Sequence, residues 1–360
     1  MKKVIFSEVS RQMVGGGRSS NLELYRIVCM LLIVAHHLVV HSGVRDELGA
    51  MSLHPYDPKT FFLLLCGMWG KVGINCFLLI TGYFMCTQHI TKRKLLKLFV
   101  WIYTYKFTLF FIFSLFGKEE CSILRLCKLI LPFWHIQNSF VPCYLLFWLT
   151  IPYLNILIRS MKHTEYLLLL LLLLGVYTIW GSNPFVIVDY NYIVWFGVVY
   201  LIGAYIRLYP MECFAKHLWG WATIASMIIA CLFTVVIYMT SNIDPWFFTS
   251  DSNKILAVVI SVCSFLWFKN MKMGYKPIIN YIAVSTFGVL LIHDGSEVMR
   301  CWLWKELIPI NSIYYQLSFF TFMSFCICTV IALYIVCTII DRIRIKAMEE
   351  PLFNLYNKQH

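Results

Sequence analysis

Charge is what this chain has least of. Only 13% of its 360 residues are Asp, Glu, Lys or Arg, and 60% are hydrophobic. Soluble domains carry about 25% charged residues, so the composition excludes an ordinary soluble enzyme and points to a membrane protein. Acids are the scarcer sign, 18 against 30 Lys and Arg, for a formal charge of +12. That surplus does not imply a nucleic-acid partner, because the basic residues fall in short clusters between apolar runs, where membrane topology accounts for them. No polar stretch of domain length occurs. One integral domain is therefore expected over residues 21–345, between a cytoplasmic N-terminal segment (1–20) and a cytoplasmic tail (346–360). The 14 cysteines form no framework, and Cys231, Cys263, Cys326, Cys328 and Cys337 lie inside apolar runs, as small hydrophobes do. Cys326 and Cys328 lack an accompanying His or second pair, so neither zinc nor disulfides are expected. Internal repeats, a low-complexity tail and a cleavable signal are not evident either.

Long apolar runs are what the chain does have. A crossing helix needs about 20 mostly apolar residues. Ten runs qualify, near 24–42, 62–86, 96–116, 141–158, 165–180, 192–208, 217–240, 254–269, 277–293 and 313–340. The last is long enough to tilt or to project beyond the bilayer. Alternate connections hold the basic clusters: Lys2, Lys3, Arg11 and Arg18, then Lys92, Arg93, Lys94 and Lys97, then Lys269, Lys272 and Lys276, then Arg342, Arg344 and Lys346. The other connections hold fewer basic residues, mixed with acids. This bias puts both termini in the cytoplasm, as an even number of spans requires. The expected fold is all-α, a polytopic bundle of about ten helices in the plasma membrane.

The first run, "NLELYRIVCMLLIVAHHLVVHSG" at 21–43, carries charges that hydrocarbon makes expensive: Glu23, Arg26, His36, His37 and His41. On a helix, residues eleven apart are rotated by three turns plus about 20°, so Arg26 and His37 share a face, roughly 16 Å apart along the axis. Glu23, one turn before Arg26, is spaced to pair with it. His36 points about 100° away and is expected to pack or to hydrogen-bond. Intramembrane ionisable residues are functional candidates by default, and a face-sharing pair is a stronger candidate than either alone. His37 and His41 have the spacing of a metal pair, but no acidic or thiol partner stands near them in sequence, so no metal is expected.

"NLELYRIVCMLLIVAHH" resembles the opening of the acyltransferase-3 family, integral membrane enzymes that acylate cell-surface glycans. An acid, an Arg, ten residues and a His recur there, matched here by Glu23, Arg26 and His37. The resemblance continues through "GKVGINCFLLITGYFM", with Thr81 where Ser is common and Leu78 where a second Phe is common. "TKRKLLKLFVWIY", "FVPCYLLFWLTIPYLN", "VVYLIGAYIRLY" and "STFGVLLIHDGSEVMRCWLWKEL" follow in order, with a Trp missing near Ser139 and Leu290 in place of the usual Tyr. The chain looks most like the short members found in capsule and exopolysaccharide clusters, which lack an attached esterase-like domain.

That resemblance implies transfer of an acyl group, commonly acetyl from acetyl-CoA, to a sugar hydroxyl. The residues suit such chemistry independently. His37 can take the hydroxyl proton and return it to the leaving thiolate, or carry the acyl group itself. Arg26, oriented by Glu23, can grip coenzyme A phosphates with its planar guanidinium. Lys71 and Asn75, placed before an expected turn at Gly82, either serve a secondary site or mark the interface. His293, Asp294 and Arg300, with Glu297, either bind the acceptor sugar or cap and pair among themselves. Lys106 lies mid-span and calls for a cavity or partner. Trp134 and His135 are either an interfacial anchor or a glycan platform. The expected partners are membrane lipid, acyl-CoA and glycan. The rival class is a transporter or flippase of lipid-linked sugar, which would favour inverted repeats or paired broken helices, and neither is visible.

Overall fold

The computed structural model describes residues 19–131 and 139–359. Lys2, Lys3, Arg11 and Arg18 lie outside these residues, as do Trp134 and His135 and the side chain of Lys358. The protein is all-helical, 77% helix, with no strand among the described residues. Every one of the ten apolar runs is helical. Seven of the helices are long and apolar enough to cross a bilayer, or eight if a bent pair counts as one span. That pair, Pro277–His293 and Glu297–Gln316, turns through 91°. The two remaining runs, Tyr192–Leu208 and Ile255–Asn270, are 17 and 16 residues long. At 1.5 Å per residue each reaches only about 25 Å, short of the roughly 30 Å hydrocarbon core.

The single domain expected from the sequence folds as two compact units made of discontinuous stretches. The first holds the described residues up to Cys29 with Lys71–Ile90 and 139–277; the second holds Met30–Gly70, 91–131 and 278–359. The helix Ser20–Val40 therefore contributes its opening turns to the first unit and its histidines to the second.

In the first unit the helices approach at glycines. A Cβ on Gly82 would fall 2.3 Å from the carbonyl oxygen of Tyr200, and one on Gly203 would fall 2.4 Å from that of Leu79. Gly82 is thus not at a turn, as the sequence suggested, but inside the helix Gly70–Met85, where it lets two backbones touch. Two buried amides of this unit are partnered at both ends, as a water-free setting demands. Asn155 donates to Met85 O (3.0 Å) and accepts from Tyr200 Oη (2.6 Å). Asn75 donates to Ser252 O (2.7 Å) and accepts from Trp195 Nε1 (3.0 Å).

The second unit buries charge. Asp341, fully enclosed, accepts from Trp101 Nε1 (3.0 Å), Tyr105 Oη (2.7 Å) and Arg344 Nε (2.9 Å). Arg344 pairs onward with Glu349 (2.9 Å), and Glu349 with Lys97 (2.5 Å). Gly288 makes the space, since a Cβ there would lie 2.4 Å from the Asp341 carboxyl carbon. The sequence reading gave Lys97 and the stretch after Asp341 a topological role. The structure instead continues the chain as helix from Phe319 to Gln359 and uses Lys97 and Arg344 to neutralise buried acids. Uncompensated, those acids would cost several kcal/mol each.

Gly203→Ala should lower the Tm of protein in lipid nanodiscs, because overpacking a backbone contact costs about 1–3 kcal/mol. Gly197→Ala, on the same helix with nothing within 4 Å of its Cβ position, should leave Tm unchanged or raise it, since Ala gains about 1 kcal/mol of helix propensity over Gly. Equal shifts for the two variants would refute the glycine contact.

Candidate functional site

The helix Ser20–Val40 ends where its chemistry begins. His41 N still bonds His37 O (3.0 Å), Ser42 Oγ donates to Val39 O (3.4 Å), and Gly43 turns the chain with φ +78°. That left-handed conformation at a helix end favours glycine. The last turn thereby presents His36, His37 and His41. A second helix end comes from far along the chain. Thr286–His293 stops at Asp294, and Gly295 allows the sharp bend, because a Cβ there would lie 2.2 Å from Leu291 O. Ser296 then caps the short helix Glu297–Cys301 by accepting from Met299 N (3.1 Å), which carries Arg300 back towards Asp294.

Within the second unit these two ends assemble one polar group. His293, fully buried, donates from Nδ1 to the Val289 carbonyl (2.6 Å). A carbonyl only accepts, so the proton of the neutral ring lies on Nδ1 and Nε2 carries a lone pair. That lone pair receives His37 Nδ1–H at 2.9 Å. The tautomer of His37 is fixed in turn: its Nε2 is the unprotonated nitrogen. It faces Asp294 Oδ2 at 4.0 Å, while His41 Nε2 faces Asp294 Oδ1 at 3.8 Å. Arg300 holds the same Oδ1 at 3.3 Å. Side-chain exposure rises outward, from 0% of His293 as a whole to 13% at His37, 19% at Asp294, 27% at His41 and 35% at Arg300. His37 Nε2 therefore faces the more exposed, charged side of the group, where Asp294 and Arg300 stand.

His36 behaves as its helical phase requires. Its Nδ1 bonds the Gly67 carbonyl, and its ring fills the place where a Cβ on Gly70 would lie 2.3 Å away. His36 is a packing residue at the break between Pro58–Gly67 and Gly70–Met85.

Glu23, Arg26, Lys71 and Asn75 lie in the first unit, and Lys106 in the second. Arg26 reaches both oxygens of Glu23, at 3.3 and 3.4 Å, and keeps 32% of its side chain exposed. Lys71 donates to Tyr192 Oη and lies over that ring, 5.2 Å from its centroid. Asn75 is spent on Ser252 and Trp195. Lys71 and Asn75 thus have structural partners. Lys106 is half-buried in Lys92–Leu115.

His293, Asp294 and Arg300, which the sequence offered either as acceptor-binding residues or as capping and pairing ones, lie around His37 and His41. Sequence offered one cue for this, a His-Asp-Gly at the end of an apolar run, but a partner 256 residues away from His37 leaves no local trace. The acid absent from the neighbourhood of His37 and His41 in sequence is also supplied: His37, His41 and Asp294 are, among the described residues, a set whose ligating atoms lie within 4.8 Å of one another. Two imidazoles and a carboxylate have the make-up of a divalent-ion site. Arg300 argues against such a charge, because it already neutralises the carboxylate.

A family model described as an acyltransferase domain matches residues 19–341. No curated protein and no solved structure matches the chain.

Nitrogen-15 NMR of histidine-labelled protein should find both His37 and His293 in the Nδ1–H form at neutral pH. A His37 ring protonated on Nε2 alone would reverse the hydrogen-bond chain and remove the lone pair that faces Asp294.

Proposed function

The chain belongs to the acyltransferase-3 family and is a multi-pass membrane acyltransferase, and from that premise we propose that it moves an acyl group, most simply acetyl, from cytoplasmic acyl-CoA to a hydroxyl of a cell-surface or lipid-linked glycan. The plasma membrane, with both termini cytoplasmic, is the corresponding location. The observation that carries the reading is the bare Nε2 of His37 beside Asp294.

A sugar hydroxyl is a poor nucleophile at neutral pH and needs a positioned base. A hydroxyl oxygen about 2.8 Å from His37 Nε2 can donate its single proton there, and Asp294 Oδ2, 4.0 Å from that nitrogen, places negative charge beside it. His37 Nε2 takes the hydroxyl proton as the oxygen attacks the thioester carbon. The tetrahedral centre then collapses, the carbon–sulfur bond breaks, and the thiolate recovers the proton from His37. His293 acts through His37: by accepting from Nδ1 it keeps Nε2 unprotonated and steadies the imidazolium that forms. Asp294, oriented by Arg300, favours that transient positive charge. The arrangement favours direct transfer over an acyl-histidine, since a base poised on a hydroxyl seat needs no covalent step.

The donor's anionic phosphates call for a cation. Arg26, braced by Glu23, supplies a fork that matches phosphate oxygens. It lies eleven residues before His37 on one helix face, a separation of roughly 16 Å that an extended pantetheine arm suits.

His37→Ala should cut turnover by about 10²–10⁴-fold, the usual contribution of a general acid–base group, with donor binding retained. His36→Ala should instead lower Tm and leave turnover per folded molecule within a few fold. Arg26→Lys should weaken coenzyme A binding in calorimetry. If His37→Ala abolishes donor binding while Arg26→Lys binds normally, the two roles are reversed.

No metal is required by these steps. Dialysis against EDTA should leave turnover unchanged, and a loss restored by zinc would turn His37, His41 and Asp294 into metal ligands.

A further inference from the structure

Beyond the helix end that carries His37, the second unit contains an open cavity of about 290 Å³ lined by Ser42, Gly43, Asp46, Gly49, Lys305 and Asn311, among others. We propose that this cavity is the acceptor subsite and that it takes one neutral sugar ring, an assignment that rests on the transferase reading above.

Size is the first argument. The volume lies at the low end for small-molecule pockets, about 300–1,000 Å³, which suits a single ring and excludes an extended lipid or oligosaccharide. Chemistry is the second. Lys305 Nζ and Asp46 Oδ2 stand 3.8 Å apart, too far for a hydrogen bond, so each retains capacity for a ligand. Their charges cancel, which favours a neutral polyhydroxyl compound over an anion or a cation. Asn311 Oδ1 accepts from Ala50 N (2.8 Å), which orients the amide and leaves its NH2 as the donor. Ser42 Oγ donates to Val39 O and keeps lone pairs to accept. Gly43 leaves room between the two charged groups, since a Cβ there would lie 3.2 Å from Asp46 Oδ2 and 3.9 Å from Lys305 Cε. Donors and acceptors are thus both present around a small space, as vicinal hydroxyls require.

Position is the third. Ser42 follows His41, whose ring faces Asp294, and Lys305 lies five residues after Arg300, which holds the same carboxylate. A ring bound in the cavity would be held against both chain segments that carry the polar group, with neither His37 nor His293 consumed in binding it.

The test uses the full-length protein in lipid nanodiscs, because glycoside detergents would compete. The probes are methyl glycosides of glucose, galactose, mannose and N-acetylglucosamine. Binding is read by saturation-transfer NMR, acyl transfer by acceptor KM, and donor competence by acyl-CoA hydrolysis without acceptor. Asp46→Asn and Lys305→Gln should each raise acceptor KM by about tenfold, the loss of one good hydrogen bond to a charged group. Donor hydrolysis and Tm should stay at the wild-type level. His37→Ala should still bind the glycoside. Binding that Asp46→Asn weakens, in a protein that turns over no acyl-CoA, would sustain the subsite and sink the transferase reading. Unchanged acceptor KM in both variants, or no binding of any of the four probes, would overturn the subsite itself.

Discussion

The hydrogen bond from His37 Nδ1 to His293 Nε2, 2.9 Å long, is the constraint on which the site depends. It joins the end of one apolar helix to the end of another that lies far along the chain, and it selects a single tautomer on each ring. Without a partner that only accepts, an imidazole distributes its proton over both nitrogens. With Val289 O behind His293, the distribution ends, and the nitrogen left bare is the one that faces Asp294. Protonation at Nε2 then yields an imidazolium whose other proton already has an acceptor. In a setting without water, that acceptor is what makes the charge tolerable.

Holding two helix ends in that register takes backbone devices more than side chains. Gly43 closes the first helix with a positive φ, and Gly295 allows a bend that any Cβ would block. Neither contacts the reacting group. A side chain at Gly295 would press on the Leu291 carbonyl in the turn before Asp294, and one at Gly43 would strain the positive φ that follows His41 and Ser42. The same logic governs Gly70, where the ring of His36 takes the volume that a side chain would have filled and the Gly67 carbonyl holds that ring. Adjacent histidines on one helix thus divide between packing on Gly67 and Gly70 and bonding His293, because 100° of rotation points them at different neighbours.

That division was legible in the sequence, since helical phase follows from residue numbers alone. So were the ten helical runs and the Glu23–Arg26 pair, each a consequence of local spacing. What sequence could not show was anything that depends on which runs become neighbours. Gly82 looked like a turn because glycine serves both turns and close backbone approaches, and only Tyr200 decides between them. Arg344 looked like a topological charge because Arg at a span end usually is one. Its burial against Asp341 depends on Trp101 and Tyr105, which arrive from another helix. His293 and Asp294 were visible as polar residues at a span end, yet their target, His37, was not.

The second unit holds two clusters of ionisable groups, and the difference between them separates structure from chemistry. Around Asp341, acids and bases alternate: Asp341, Arg344, Glu349 and Lys97 pair in sequence at 2.5–2.9 Å. Charges so balanced and so closely spaced leave little room for a ligand and little reason to exchange a proton. Around Asp294 the distances lengthen to 3.3–4.0 Å, and a bare imidazole nitrogen faces a carboxylate oxygen. Two lone pairs that face each other repel unless a proton comes between them. A donor that gives its proton to His37 Nε2 would relieve that repulsion, which is why the transfer chemistry is proposed at the unbalanced cluster and a stabilising role is assigned to the balanced one.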